Sequence, residues 1–509
     1  MAVLVLGFWV GRGERNATDY FLAGRNLPWY LIGLSLYASN MSGASFVGLM
    51  GASYQEGMVV FNYEWTATLV LIVFALVMLP TFLRARIFTV PEYLEARFDR
   101  RSRWAYAGLT IVTLIFIDMA GAIYAGGVVV STLFPAVGLW EASATMALLT
   151  GAYTLFGGLR SVVVTDALQA VLIILGAALI FLFGLGEAGG WSALMVSLDE
   201  TKTALFKSAA DGFLPWPGIA GVVLLGFYYW SLNQYFVQRA LAARSLDQGR
   251  RGALFGGLLK LPNLFLMILP GMIAIVLLPD LESPDQAFPA LAALLLPEGL
   301  RGLILTALVA AIMSSLDSAL NAAASLVTMD FVRPLSPRIS DRALLRVGRV
   351  CTAVLIVLAA LYAPVIERFG SLFQYFQATL AYIVPPVVAV YLGGLFWRRL
   401  NAAGAFWALL GGVALGLLLF LAKEVTGLWA AAGLPAVHFT YAAVAMFVFA
   451  FVVMVLVSAA GRPSACATTL LARRSDLGGA ERRGKEGLDH RLLTAALALL
   501  MAVMLVALA

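Results

Sequence analysis

The sequence predicts an all-α polytopic membrane protein with about fourteen transmembrane helices. Of its 509 residues, 62% are hydrophobic and only 12% are charged, whereas a soluble domain carries about 25% charged residues. The mean hydropathy of +0.92 agrees with this composition. Apolar windows recur along the whole chain, and most charged residues lie in the connections between them.

The predicted spans are apolar windows of roughly 20 residues, the length that crosses about 30 Å of hydrocarbon. The first window is too short to cross by itself, so we expect either that the given sequence starts late or that the helix is stunted. The windows lie near residues 2–10, 28–52, 59–83, 104–134, 139–157, 161–186, 215–238, 252–279, 301–328, 343–364, 370–396, 402–422, 437–459 and 491–508.

The basic residues that produce the net charge of +6 sort by loop and do not gather on one face. Arginine-rich connections alternate with connections that carry acidic residues, such as 199–200 and 280–285. By the positive-inside rule, this alternation places the N-terminus outside and predicts a multi-pass protein of the cell membrane, of the bacterial inner-membrane type. The lipid bilayer is therefore the expected partner, and nucleic acid is not.

One predicted span contains polar residues at its centre, in the segment SLYASNMSGASFVGL at 35–49. Its flanks are apolar enough to cross a membrane, so the polarity indicates either a helix that lines a protein interior or a deliberately broken helix. Unwound backbone is tolerated at membrane depth only where it lines a cavity. A break over residues 38–43 would free carbonyl groups to bind an ion or a solute.

Ionisable side chains inside predicted spans are the next signal, because each costs at least about 2.5 kcal/mol at mid-membrane unless it is paired or hydrated. Such residues mark function more often than they serve as structural or interfacial charges. The sequence contains five of them in or near the ends of spans: Glu64, Asp118, Asp166, Lys260 and Asp317.

The segment AAIMSSLDSALNAAASL at 310–326 carries small and hydroxyl residues on one helical face. Their spacing of i, i+3, i+4 and i+7 fits either a packing seam between helices or one side of a cation site. A small hard cation needs oxygen ligands and close backbone approach, which this face offers. Discontinuous helices that hold ions at mid-membrane are typical of secondary transporters built from inverted repeats. The face comprises Ala311, Ser314, Ser315 and Ser318.

Taken in order, these segments resemble the sodium/solute symporter family, and most closely its bacterial sugar-transporting members. The likeness runs from about Asp19 to about Arg398 and more loosely to the C-terminus. The segments that carry it are ATDYFLAGRNLPWY, the ASNMS break, FNYEW at 61–65, TVPEYLEARF at 89–98, YTLFGGLRSVVVTDALQ at 153–169, NQYFVQRALAARS at 233–245, LKLPNLFLMILPGM at 259–272, AAIMSSLDSALNAAASLVTMD at 310–330 and LFQYFQ at 372–377.

The resemblance implies a LeuT-like core of two inverted five-helix repeats, preceded by one helix and followed by three. The resulting domain boundaries are 1–27 for a short first helix and its loop, 28–186 for the first repeat, 187–214 for an extracellular loop, 215–396 for the second repeat, 397–460 for peripheral helices, 461–490 for a cytoplasmic linker and 491–509 for the last helix.

The resemblance also implies ion sites. In similar transporters, sodium is held by carbonyl groups of the first core helix and by a carbonyl and two hydroxyls of the eighth. These positions are Ala38, Met41, Ala311, Ser314 and Ser315. Some family members bind a second sodium with hydroxyls and one carboxylate. Because one of those hydroxyl positions is an acid here, we expect a second cation or proton site at Asp166, Asp317 and Ser318, unless Asp317 faces a water path and contacts an arginine.

The solute site carries over only in part. Asn40, Glu64, Lys260 and Gln377 match residues that bind sugar hydroxyls in similar symporters, and Ser45 stands where the family has a glutamine. Two further departures, Ala67 for a serine and Gly226 for an asparagine, leave room for another hexose, a modified sugar or a polyol. The outer gate is expected at Tyr63 and Phe373, and the inner gate at Tyr229.

The function that these expectations favour is sodium-coupled symport of a neutral, hexose-like sugar by alternating access, with Na⁺ as the coupling ion. A first alternative is a sodium symporter for another solute, such as a monocarboxylate, sialic acid or a polyol. A second alternative is a transporter-like solute sensor. An enzyme is not predicted, because no nucleophile with a neighbouring base is evident. The oligomeric state does not follow from the sequence.

Overall fold

The computed structural model describes residues 22–41, 43–154, 159–462, 470–473 and 489–508, without the side chains of residues 43, 149–154, 159–162, 165–170, 173, 303–307 and 310. The described residues form helices and no β-strand, apart from two isolated bridges at Leu27–Ala243 and Lys207–Pro215. The all-α prediction is confirmed. The first predicted helix and most of the linker at 461–490 lie outside the described residues.

The predicted first repeat consists of helices that run in sequence order, two of them continued through a π-helical turn. The π turns are Phe74–Met78 and Leu114–Met119. The helices are α1 (Trp29–Asn40), α2 (Gly43–Glu56), α3 (Asn62–Val73), α4 (Leu79–Ala85), α5 (Val90–Arg97), α6 (Arg100–Thr113), α7 (Ala120–Leu133), α8 (Leu139–Thr154) and α9 (Leu159–Glu187).

The connection and the predicted second repeat follow. Two short helices, α10 (Trp191–Ser197) and α11 (Glu200–Thr203), lie within the connection at 187–214. π turns at Leu264–Ile268 and Val327–Val332 extend two of the long helices. The remaining helices here are α12 (Ile219–Ser231), α13 (Gln234–Leu241), α14 (Leu246–Lys260), α15 (Leu269–Leu277), α16 (Ala287–Leu295), α17 (Glu298–Leu326), α18 (Arg333–Leu335), α19 (Asp341–Tyr362), α20 (Leu372–Ile383) and α21 (Pro385–Phe396).

After the second repeat, the described residues form four helices, namely α22 (Ala402–Phe420), α23 (Leu428–Ala431), α24 (Phe439–Ala459) and α25 (His490–Leu508). Seven helical segments of the described residues are long and apolar enough to cross a membrane, or nine if each of two bent pairs is one span. Interrupted helices such as α1 and α2, with 12 and 14 residues, are each too short alone because a span needs about 20 residues. The count of fourteen and the orientation stay predictions.

Two helices are interrupted at equivalent places, at the start of each predicted repeat. Helix α1 ends at Asn40, where the Met41 backbone leaves the helical region and its N–H donates to the Tyr37 carbonyl at 2.7 Å. The next helix begins at Gly43, so the interruption lies inside the segment that the sequence marks as broken. In the second repeat, α12 stops at Ser231 and Asn233 caps α13 by accepting from the Tyr235 N–H at 3.0 Å.

Close helix packing places both interruptions at the centre of the bundle. Helix α1 packs against α9, α13, α14 and α17. A Cβ atom at Gly33 would lie 2.9 Å from the Gly252 carbonyl oxygen, so glycine is required where α1 meets α14. The core is therefore built from the helices that carry the predicted ion and solute residues.

Candidate functional site

A cavity of about 110 Å³ lies beside the interruption of α1 and α2, and its walls come from α1, α2, α3, α12, α14 and α20. All five predicted solute residues and all three predicted gate residues line it. Its wall consists of Asn40, Ala44, Ser45, Gly48, Leu49, Tyr63, Glu64, Thr66, Ala67, Val222, Leu225, Gly226, Tyr229, Trp230, Lys260, Phe373, Phe376, Gln377 and Leu380.

A buried ion pair forms the polar centre of this wall. Lys260 Nζ lies 2.6 Å from Glu64 Oε2, and the two side chains are only 1% and 5% exposed. Lys260 also donates to Asn40 Oδ1, and its ammonium group lies 5.3 Å from the centre of the Trp230 ring. The ion pair removes the net charge from the wall and leaves donors and acceptors available.

Asn263 contacts the polar centre of the wall, although its sequence position did not single it out. It is fully buried and donates through Nδ2 to Glu64 Oε2, while its Oδ1 accepts from the Tyr37 hydroxyl at 2.8 Å. The same amide lies 3.3 Å from the Met41 sulfur, next to the interruption of α1. Its position three residues after Lys260 was the available signal, because residues at i and i+3 share a helical face.

Aromatic rings close the cavity on the side of the predicted outer gate. Tyr63 and Phe373 meet edge to face with ring centroids 4.9 Å apart, and Phe213 stacks on Phe373 at 6.0 Å. The loop residue Asp285 holds the start of α20, because its Oδ2 accepts from the Leu372 N–H at 3.0 Å. This contact fixes the helix that presents Phe373 and Gln377 to the cavity.

A second aromatic group lies on the side of the predicted inner gate. Tyr229 packs against Trp230 and Phe236 with ring centroids at 5.5 and 4.4 Å. The neighbouring Tyr235 hydroxyl donates to the Ser39 carbonyl at 2.8 Å and joins α13 to the end of α1. The two interrupted helices are thus linked directly beneath the cavity.

The predicted sodium residues are all buried and lie on two helices that pack together, α1 and α17. Ser315 Oγ donates to the Ala311 carbonyl at 3.0 Å, so two of the predicted ligand oxygens are neighbours. Binding of an ion by this set stays a prediction. The buried residues concerned are Ala38, Met41, Ala311, Ser314 and Ser315.

Only part of the predicted second cation site is described by the structure, since the side chain of Asp166 lies outside the described residues. Asp317 and Ser318 are both buried on α17. Arg239 of α13 donates to Ser318 Oγ at 2.7 Å and to Ser35 Oγ at 2.7 Å. A guanidinium group therefore contacts Ser318, and the second cation or proton site and its alternative both stay predictions.

The comparisons with known proteins agree with this arrangement. The family model described as the sodium:solute symporter family matches residues 20–412. The chain belongs to the sodium:solute symporter family. As in that family, this symporter spans the membrane several times and uses Na⁺ as its coupling ion.

Curated relatives of this symporter include a sodium/glucose cotransporter of Vibrio parahaemolyticus, which is 33% identical over 82% of each chain. Human sodium/myo-inositol cotransporter 2 is 35% identical over 82% of this chain and 67% of its own length. Sodium/glucose cotransporter 4 of Danio rerio is 34% identical over 84% of this chain and 71% of its own. These relatives are transporters and not enzymes.

Solved structures show the fold. A substrate-bound, outward-open Na⁺-coupled sialic acid symporter aligns with a TM-score of 0.78 and 23% identity, over 93% of this chain and 97% of that chain. Mhp1, a transporter of the nucleobase-cation-symport-1 family, aligns with a TM-score of 0.58 and 13% identity over 87% and 94%. The LeuT-like core predicted for this symporter is confirmed.

Proposed function

We propose that this symporter imports a neutral, hexose-like sugar together with Na⁺ by alternating access. The observation that carries the proposal is the compensated charge of the cavity wall, where Lys260 pairs with Glu64 at 2.6 Å. A wall without net charge suits a solute without charge. Sugar hydroxyls need donors and acceptors, which an ammonium group, a carboxylate and amide side chains supply together.

Further groups of the wall suit a polyhydroxylated solute. The Tyr63 hydroxyl is buried and has no hydrogen-bond partner in the described part of the chain, so a solute hydroxyl can satisfy it. Asn40 and Gln377 also line the cavity, and each amide can both donate and accept. The aromatic rings of Tyr63, Tyr229 and Phe373 offer the apolar faces on which a sugar ring packs.

An anionic solute fits this wall less well. Carboxylates are bound best by arginine, whose paired N–H groups match the two oxygens. Within the described residues, no arginine lines the cavity, and its single lysine is already paired with Glu64. The small residues Ala67 and Gly226 lie in the wall as well, so a larger sugar or a cyclic polyol also has room.

The proposed cycle assigns separate roles to the two halves of the site. Na⁺ at the interruption of α1 and α2 would favour the outward-open state, because a ligand stabilises the conformation that it binds better. The solute then enters past Tyr63 and Phe373, and Tyr229 opens to release it inside. We place the protein in the bacterial inner membrane with its N-terminus outside.

The test is uptake into proteoliposomes with and without an inward sodium gradient. The panel contains radiolabelled glucose, galactose, myo-inositol and sialic acid. We expect sodium-driven accumulation of at least one neutral compound and no accumulation of sialic acid. Accumulation of the anion alone would overturn the sugar assignment, and binding without accumulation would indicate a solute sensor.

A further inference from the structure

The interruption between α12 and α13 lies against the helix that carries Asp118. The Tyr106 hydroxyl of α6 donates to the Leu232 carbonyl at 2.6 Å, and Thr113 Oγ1 lies 3.0 Å from the Tyr228 hydroxyl. The π turn that follows α6 brings the Asp118 carboxyl group next to the Asn233 side chain. An intramembrane acid therefore faces the point where a helix is broken.

The broken segment contains buried donor groups without acceptors. Asn233 Nδ2, Ser231 Oγ and Gln234 Nε2 have no hydrogen-bond partner in the described part of the chain, although all three residues are fully buried. Buried polar groups are nearly always hydrogen-bonded, so such a group requires an explanation. The amide of Asn233 lies close to Asp118 but outside hydrogen-bonding geometry.

The surroundings of Asp118 provide no counter-charge among the described residues, and no ion pair joins it to a basic side chain there. The titratable groups whose charges are coupled to it are tyrosines of α12 and α20. Helices α17 and α19 also pack against the π turn. The titratable groups around this turn are Tyr228, Tyr229, Tyr375, Tyr362, and, in the middle of α17 and α19, Asp317 and Cys351.

Asp118 is only partly buried, but an ionised carboxylate without a counter-charge is costly at membrane depth, so a bound proton or cation would stabilise it. The side-chain and carbonyl oxygens of the interruption already accept hydrogen bonds within the protein. Asn233 Oδ1 accepts from the Tyr235 N–H, and the Leu232 carbonyl accepts from Tyr106. The Tyr228 carbonyl accepts from the N–H groups of both Leu232 and Asn233. What remains is a set of donors.

We propose that Asp118 and the interruption between α12 and α13 form a proton-binding site. With the proton bound, the acid is neutral and tolerated in the interior. When the proton leaves, a small shift of α13 lets Asn233 Nδ2 donate to the carboxylate, which gives this buried donor an acceptor. The proton is exchanged with water, and no other bond is made or broken.

In the inverted repeats, the position of this site corresponds to that of the predicted sodium site. The predicted sodium site joins the interruption of the first helix of one repeat to the third helix of the other, α1 and α17. The Asp118 site joins the corresponding two elements of the repeats. One is the interruption between α12 and α13, and the other is the helix that begins with α6. Tyr229, the predicted inner gate, lies next to Asp118. Proton binding at Asp118 would therefore influence the Tyr229 side of the cavity, whichever solute the cavity binds.

Infrared difference spectroscopy on the purified protein in lipid tests the proposal, with the proton itself as the probe. Spectra taken between about pH 5 and pH 9 record the carboxylic-acid C=O band, which exists only in the protonated acid. We expect a titrating component of this band that is absent from Asp118→Asn, in addition to the components of the buried acids Asp285 and Asp330, which remain in that variant. The control Glu141→Gln removes an exposed acid at the start of α8 and should leave the band unchanged.

A further variant keeps the test decisive if Asp118→Asn fails to fold. Asn233→Ala removes the donor to the ionised form, so it should raise the midpoint of the Asp118 component by about one pH unit. Ser231→Ala, which removes a neighbouring buried hydroxyl, is its matched control and should leave that midpoint unchanged. An unchanged midpoint in Asn233→Ala would overturn the proposal, as would identical titrations of wild type and folded Asp118→Asn.

Discussion

Lys260 and Glu64 form a salt bridge of 2.6 Å inside the wall of the solute cavity, although they lie on helices far apart in sequence. The pair has two consequences that oppose each other. Each charge makes the other tolerable in a low-dielectric interior, yet each also keeps free hydrogen-bonding capacity for a solute. Stability and solute recognition therefore depend on the same contact, and substitutions can separate them.

The first prediction separates these two roles. Lys260→Ala leaves Glu64 buried without its partner, and breaking a buried pair in this way costs about 3–5 kcal/mol of unfolding free energy. The double variant Glu64→Gln with Lys260→Met removes both charges and should recover most of that loss. Neither variant should accumulate sugar. Thermal unfolding in detergent measures stability, and proteoliposome uptake measures transport. Normal uptake by the double variant would show that the two charges stabilise the fold and are not needed for transport.

The second prediction concerns the sodium face of α17. Ser314→Ala and Ser315→Ala each remove one oxygen, and a contact to a charged group is worth about 1.5–3 kcal/mol, so the sodium concentration for half-maximal uptake should rise about tenfold or more. Ser325→Ala is the control, because its buried hydroxyl lies on the same helix and donates to the Ala322 carbonyl. If the sodium dependence of all three variants equals that of wild type, the face is a packing seam.

The sequence predicted much of the cavity because its residues carry strong local signals. Polar groups such as Asn40, Glu64 and Lys260 are costly within apolar spans, so their positions along the chain are enough to mark a site. Resemblance to a family then brought residues of six different helices into one set. The cavity contains every solute and gate residue of that set.

Contacts between helices could not be predicted in the same way. Asn263 and Trp230 are ordinary residues in sequence, and their roles arise only because α3, α12 and α14 bring them to Glu64 and Lys260. Arg239 is likewise placed by sequence in a cytoplasmic connection, yet it is buried and joins α13 to Ser35 and Ser318. Its tertiary partners lie more than 75 residues away, beyond the reach of helical periodicity.

The third prediction tests Asn263 as a residue that positions Glu64. Asn263→Ala removes the donor to Glu64 and leaves the Tyr37 hydroxyl without its acceptor, so we expect a loss of about 1–3 kcal/mol in stability. The solute concentration for half-maximal uptake should rise, while the sodium dependence at saturating solute changes little. Gln374→Ala, an exposed amide on α20, is the control. An unchanged solute dependence would limit Asn263 to a structural role.

Asp330 forms a separate buried network beyond the end of α17. Its Oδ1 lies 2.6 Å from Arg103 Nε and accepts from the Thr89 hydroxyl at 2.9 Å. Arg103 also contacts Glu95, whose side chain is more exposed. Burial raises the pKa of Asp330 to about 6, against the opposing effect of the Arg103 charge. The folded protein therefore binds a proton between about pH 4 and pH 6 that the unfolded chain releases.

The fourth prediction follows from the sign of that shift. Because the folded state binds more protons in this window, the contribution of Asp330 to stability falls as pH rises from about 4 to 6, by about 3 kcal/mol in total. Wild type should lose melting temperature over this range relative to Asp330→Asn, which cannot titrate. Glu95→Gln, which alters the exposed partner of the same arginine, should keep the wild-type slope. Parallel profiles for wild type and Asp330→Asn would contradict the prediction.

The fifth prediction concerns Asp317, an acid where some family members have a hydroxyl. If Asp317 and Asp166 hold a second cation or a proton, Asp317→Asn should change the ion-to-solute ratio or its pH dependence, while solute affinity at saturating sodium stays near normal. If Asp317 faces a water path and contacts an arginine instead, the ratio should stay constant between about pH 6 and pH 8 and only stability should fall. Reversal potentials of reconstituted protein measure the ratio directly. Asp341→Asn, which removes an exposed acid paired with Arg333, is the control.

The Arg239 contact with Ser318 makes a third variant informative, because Arg239→Gln removes the guanidinium charge without adding an acid. A ratio that changes in Asp317→Asn but not in Arg239→Gln would assign the ion to the carboxylate, since only the acid can bind it.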